Sequence, residues 1–312
     1  VYHDQQGRRI TDPDALDRIR GLAIPPAWTD VWISPTAGAR LQATGLDAAG
    51  RRQYLYHPTF RAAREREKFS RLVAFGEALP GLRERVAEDL ETGPFAFEWT
   101  SAVALTLVNR TWFRPGSDRA ARSARTYGVT TLTRRHVEIS GRRLTFRFRG
   151  KHRVLHRATV VDAELAEAMR RLVELPGGAR IFRYESDGTL LALRAPLLNA
   201  YLRERIDPPF SVKDFRTWGG TLTAAIALAE HGPPETETAA RRAIARASEA
   251  VARQLGNTPA VARASYVSPV VLERFLEGRT LADVRPRRQR VLSAGLRGLE
   301  PEEQALLELL RS

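Results

Sequence analysis

The sequence predicts an α+β protein: a small β-rich N-terminal domain, then a larger, mostly α-helical domain carrying a small three-stranded antiparallel sheet. Three observations predict this. Residues 1 to about 63 alternate short bulky runs with turns rich in Gly, Pro and Asp. From about Arg64 the period changes, and "REREKFSRLVAFGEALPGLRERVAEDL" repeats apolar residues three and four apart. Inside the helical part, "HVEISGRRLTFRFRGKHRVLHRATV" returns to strict alternation. The expected domains are 1–65 and 66–312, and 312 residues suffice for two separate cores.

The elements follow in order. "VYHDQQGRRI" reads as a hairpin around Gly7. "AIPPAWTDVWIS" places Pro25-Pro26 ahead of a strand, with Trp28 and Trp32 assigned to the core rather than to stacking on a ligand. "LQATGLDAAGRRQYLYH" is two strands joined by an Asp- and Gly-containing turn, so Tyr54 and Tyr56 point to one face and Gln53 to the other. The rest is helical with one β interruption, whose strands turn at Gly141 and Gly150 and put Lys151 and His152 at a hairpin tip. "DAELAEAMRRLVEL", "LLNAYLRERI" and the closing "PEEQALLELLRS" are amphipathic helices, and Gly232–Thr238 is a loop. Gly219-Gly220 reads as a packing or turn feature rather than a phosphate cradle. Ser268-Pro269 and Thr258-Pro259 each look like an N-cap followed by the first helical residue. Those breaks matter, because nine unbroken helical steps at about 100° would put Asn257 and Tyr266 on opposite faces.

Composition narrows the partner. A formal net charge of +14 and a pI near 11 call for a polyanion, which nucleic acid, an anionic membrane surface or a ribosomal role would each satisfy. Of 50 basic residues only Lys68, Lys151 and Lys213 are lysine. A lysine kept in so arginine-rich a chain is either a survivor of codon bias or a place needing an ammonium of tunable pKa. With no cysteine there is no disulfide, thiolate metal site or cysteine nucleophile. No run approaches a membrane span, and Val1–Arg20 is unlike a secretory leader, so no membrane role and a cytoplasmic location are expected. Histidine spacing offers no metal site, and there is no P-loop and no Asp/Glu cluster suited to magnesium, so no cofactor is expected.

Five polar groups in the second domain lie in distinctive segments: Arg114 in "WFRPGSD", Lys151 in "RGKHR", Arg216 in "KDFRTWGG", Asn257 in "LGNTPA" and Tyr266 in "ARASYVSP". With "YGVTTLTRRH" (Tyr127–His136) and "GLDAAGRRQYLYH" (Gly45–His57), the chain resembles the short type IB DNA topoisomerases of bacteria and large DNA viruses, from about Ile24 to Tyr266. The resemblance implies the fold shared by that family and the tyrosine recombinases. It also implies relaxation of supercoiled duplex DNA through a 3′-phosphotyrosyl intermediate, without ATP or metal.

It makes Tyr266 the nucleophile, Arg114 and Arg216 the cations on the phosphate oxygens, and Lys151 the general acid for the leaving 5′ oxygen. Asn257 stands where many members have a histidine that donates to a phosphate oxygen; asparagine keeps a donor, roughly half as strong as a charged one. Gln53, Tyr54, Tyr56, Arg119 and Lys213 are implied DNA contacts. The implied partner is double-stranded DNA, clamped by a monomer in the bacterial nucleoid. The rivals are a tyrosine recombinase and a non-catalytic basic protein that coats DNA. The recombinase pattern H-x-x-R is replaced here by Lys213-Asp214-Phe215-Arg216, which favours the topoisomerase.

Overall fold

The computed structural model describes residues 1–281 and 298–312, which form two compact units, Val1–Lys68 and Phe69–Ser312. In the first unit, helix α1 (Pro13–Gly21) precedes an antiparallel sheet of β1 (Thr29–Ile33), β2 (Leu41–Leu46) and β3 (Arg52–Tyr56), in that order. Helix α1 was not expected among the strands and turns. It has an ordinary start signal, with the Asp12 carboxylate accepting from Ala15 N–H at 3.0 Å and Pro13 at the first helical position. The central strand β2 is the buried one, and a Cβ at Gly45 would fall 2.7 Å from the Trp28 ring, so only glycine lets that indole lie on the sheet.

Trp32 corrects the sequence reading. Its side chain is 46% exposed, whereas a core residue was expected. It faces Thr44, which in turn faces Tyr54, so three neighbouring strands present Trp32, Thr44 and Tyr54 in one row. The five-residue alternation could not tell the buried face from the open one.

Helix α2 (Pro58–Asp89) begins six residues before the change of period at Arg64 and continues into the second unit. That unit is built on α3 (Phe97–Thr111), most of whose residues are buried. After the short α4 (Asp118–Ser123) comes the expected sheet, β4 (Val137–Ser140), β5 (Arg143–Arg149) and β6 (Leu155–Val161), with neighbours antiparallel. Helix α5 (Ala163–Glu174) then leads to a hairpin absent from the sequence reading, β7 (Arg183–Ser186) and β8 (Thr189–Ala192). Its signal is Asp187-Gly188, both at positive φ (49° and 72°), the requirement of a tight two-residue turn. Helices α6 (Ala195–Arg205), α7 (Val212–His231), α8 (Glu237–Leu255), α9 (Pro259–Tyr266), α10 (Pro269–Leu276) and α11 (Pro301–Arg311) complete it. No helix of the described residues is long and apolar enough to cross a membrane.

The core of this unit centres on Phe75, whose ring meets Phe210 and Phe215 edge-on at 5.1 Å each and Trp218 at 6.1 Å. The closing helix is fixed by charge as well as by leucines. Glu303, fully buried, receives Arg83 through two bonds of 2.8 and 2.9 Å and Trp218 Nε1 at 3.2 Å. A buried pair of this kind is costly to break on one side, because the remaining charge is stranded.

Helix α7 carries Gly219 and Gly220 in a buried turn, and contact rather than flexibility explains both. A Cβ at Gly219 would lie 2.1 Å from the Trp112 indole, and one at Gly220 would lie 2.7 Å from the Tyr266 carbonyl oxygen. Gly81 in α2 has open space instead. Gly219→Ala is expected to destabilise the protein by about 1–3 kcal/mol or more. Gly81→Ala should stabilise it by about 0.5–1 kcal/mol. Urea unfolding of the two variants checks both signs.

Candidate active site

The start of α7 places the first cation. Ser211 is its N-cap and Asp214 the third residue, and the Asp214 carboxylate accepts from Ser211 N–H at 2.7 Å to complete a capping box. The acid of the "KDFR" segment is therefore structural. Phe215 and Trp218 enter the core, Lys213 stays exposed, and Arg216 is carried inward to 2% exposure.

Arg216 is held by the ends of two other helices. Its Nη1 donates to the carbonyl of Trp112, the left-handed C-cap of α3, and its Nη2 donates to the carbonyl of Leu255, the last residue of α8, at 2.9 Å. Terminal carbonyls lack helical partners and sit at the negative end of the helix dipole, which suits a buried guanidinium. Burial, then the neighbouring charge of Arg114, pulls its pKa down to about 10, so it remains a cation at neutral pH. Its Nε, buried, has no hydrogen-bond partner.

Arg114 shares that anchor. Its Nη1 reaches the same Leu255 carbonyl at 3.4 Å, and its Nη2 donates to Asn257 Oδ1 at 2.7 Å. The loop that carries it is gripped by the "YGVTTL" segment. Val129 N–H donates to the Arg114 carbonyl at 2.9 Å, while the N–H and hydroxyl of Thr130 donate to the Pro115 carbonyl at 2.8 and 2.9 Å. A Cβ at Gly128 would fall 2.4 Å from the Arg114 carbonyl oxygen. Asn257 thus orients an arginine, a task not expected from the sequence. Its Nδ2 is buried without a partner and remains a donor.

Tyr266 ends α9, and the breaks expected around it are present. Thr258 caps α9, and Ser268 is the N-cap of α10. Thr221 of α7 locks the break, its hydroxyl donating to the Tyr266 carbonyl and accepting from Ser268 N–H, each at 3.1 Å. The phenol ring is 8% exposed with the Arg216 guanidinium 5.1 Å from its centre. Burial works to raise its pKa, but the charges of Arg216, Arg114 and Lys213 outweigh it and hold the phenol below the ordinary tyrosine value. The fold therefore gathers Arg216, Asn257 and Tyr266 with Arg114, which lies more than 100 residues before any of them, and brings Lys213 close enough to act on the phenol.

Lys151 is not gathered in. It sits exposed in the turn Lys151–Arg153 between β5 and β6, with no hydrogen bond to the other four. Arg119 is exposed on α4. In the first unit, Tyr54 and Tyr56 stand exposed on β3 with rings 6.3 Å apart, and Gln53, half-buried just before them in sequence, donates to Asp47 at 2.8 Å.

One residue of this region went unrecognised. His156 on β6 is 7% exposed and lies beside the two arginines. Burial, followed by the charges of Arg216 and Arg114, pushes its pKa down to about 4. Its available signal was an inward position in an alternating strand, which marks core and site residues alike.

Comparison with known proteins gives the family. The family described as eukaryotic DNA topoisomerase I, catalytic core, matches residues 57–277, and the bacterial DNA topoisomerase IB N-terminal domain matches residues 1–47. DNA topoisomerase 1B of Acanthamoeba polyphaga mimivirus is 31% identical over 282 residues, 88% of this chain and 83% of that protein. DNA topoisomerase I of Monkeypox virus and DNA topoisomerase 1B of Vaccinia virus are each 22% identical over 268 residues, covering 84% of this chain and 82% of theirs. The chain belongs to the type IB DNA topoisomerase family.

The depressed pKa of His156 has a consequence for stability. In the unfolded chain the imidazole takes a proton near pH 6.5; in the folded protein it does so only near 4. Stability is therefore full above about 6.5 and falls as pH drops toward 4, by on the order of 3 kcal/mol from this residue. His136, also held low by burial and then by Arg135, adds in the same direction. Denaturant midpoints between pH 7 and 4 are expected to fall for the wild type and to fall less for His156→Phe.

Proposed function

We propose that the constellation Tyr266, Arg114, Arg216, Asn257 and Lys151 performs the strand cleavage and resealing of this enzyme. The family reaction is relaxation of supercoiled duplex DNA by transesterification, independent of ATP and metal. One observation carries the assignment: a buried phenol, lowered in pKa, lies beside a guanidinium that shares its anchor with a second one.

In the proposed step the Tyr266 phenol gives up its proton to water, its oxygen bonds to phosphorus, the bond from phosphorus to the 5′ oxygen breaks, and the 3′-phosphotyrosyl link conserves its energy. Charge growing on the non-bridging oxygens meets Arg216 and Arg114, whose guanidiniums donate without losing charge. Asn257 Nδ2 supplies a neutral donor. Lys151 gives a proton to the departing 5′ oxygen, which is too basic to leave unprotonated. This role requires the exposed Lys151 tip to meet the DNA once it is bound. Religation reverses these transfers.

Residues 1–65 are assigned to DNA binding and 66–312 to catalysis. Gln53, Tyr54, Tyr56, Arg119 and Lys213 are proposed duplex contacts, with the hydroxyls holding phosphates and the amide reading a base edge. The proposed setting is nucleoid DNA in the cytoplasm, with the protein acting as a monomer closed round the duplex.

Relaxation of supercoiled plasmid in EDTA without ATP is expected. Tyr266→Phe should abolish relaxation and the covalent complex trapped by SDS while leaving DNA affinity intact; retained activity would refute the assignment. Arg114→Ala and Arg216→Ala should each slow single-turnover cleavage by about 100- to 1000-fold. A protein that only coats DNA would relax nothing.

A further inference from the structure

His156 is a buried titratable group outside the proposed chemistry, and both site arginines act on it. It faces Phe148 across the β5–β6 ladder, with rings stacked at 5.1 Å and 16°, and Phe113 meets it edge-on at 5.6 Å. The opposite edge of the imidazole presses on two glycines. A Cβ at Gly150 would fall 2.5 Å from Nε2, and a Cβ at Gly256 would fall 2.5 Å from Cε1 and 2.7 Å from Nε2. Gly150 immediately precedes Lys151, and Gly256 immediately precedes Asn257. Gly150 has φ −90°, open to any residue, so the ring is the reason for its missing side chain.

We propose that His156 is a positioning residue whose imidazole, wedged between Gly150 and Gly256, sets the Lys151 turn against the segment that holds Asn257 and the two arginines. Lys151 is exposed, and the turn around it closes through Gly150, with Gly150 N–H donating to Val154 at 2.8 Å and Arg153 N–H donating to Gly150 at 2.9 Å. Where Gly150 rests therefore decides where the ammonium starts. The ring makes no side-chain hydrogen bond among the described residues, so its hold is one of shape. The charged groups facing it are Arg216 and Arg114; burial first, and then their charges, keep it neutral at physiological pH, and a third cation there would be repelled. A neutral five-membered ring fills the gap without that repulsion.

This inference rests on the reading of Lys151 as general acid, and the test separates the two. Cleavage is followed in single turnovers on DNA carrying at the scissile link either the normal 5′ bridging oxygen or sulfur. A thiolate is a far weaker base than an alkoxide and departs without a proton. Lys151→Ala is expected to slow the oxygen substrate by about 100- to 10,000-fold and to recover on sulfur. His156→Ala should slow the oxygen substrate by on the order of 100-fold, the usual effect of a small misplacement, with DNA affinity unchanged, and should also recover on sulfur. His156→Phe, refilling the gap, should regain most of the lost rate. Should His156→Ala fail to fold, Gly150→Ala serves instead, since its methyl displaces the turn from an intact ring. A His156→Ala or Gly150→Ala defect equal on both substrates, or none at all, overturns the positioning role while leaving Lys151 as the acid. A Lys151→Ala defect that persists on sulfur overturns the general-acid reading and this inference with it.

Discussion

The carbonyl of Leu255 accepts from two guanidiniums, and the site is arranged around that shared acceptor. Two like charges converge poorly in a protein interior, where their repulsion is weakly screened. Here the C-terminus of α8 offers its negative end to both, and the C-terminus of α3 adds the Trp112 carbonyl to Arg216. No carboxylate of the described residues pairs with either arginine. A carboxylate would neutralise the cations and compete with the phosphate, whereas backbone dipoles hold them in place and leave their charge available.

The same economy governs Asn257. Its amide is planar and two-sided, so one oxygen steadies Arg114 while the nitrogen stays unpartnered and buried. A histidine ring could also accept with one nitrogen and donate with the other, but it would add a titration near neutrality. Asparagine gives the two functions at fixed charge, beside arginines that already depress the pKa of His156.

Much of this was legible in the sequence because it depends on local signals. Pro259 and Pro269 announced the helix starts that free Tyr266 from a continuous helix, and Gly141 and Gly150 announced the strand ends around Lys151. What escaped was of two kinds. Helix α1 and the Asp187-Gly188 hairpin had adequate local signals that were overshadowed by the dominant period of their surroundings. Trp32, His156 and the Asn257–Arg114 bond had no signal that set them apart, since each depends on which surface or which distant residue the chain brings near. Arg114 and Asn257 are 143 positions apart, and no period carries information over such a distance.

The bare turn of α7 has a last implication. Trp112 and Tyr266 both rest where Gly219 and Gly220 lack side chains, and Arg216 projects from the same helix one turn earlier. The backbone of the nucleophile is thus seated against bare main chain on the helix that carries the cation. A methyl at either position would shift that seat, so its zero point is a pair of hydrogen atoms.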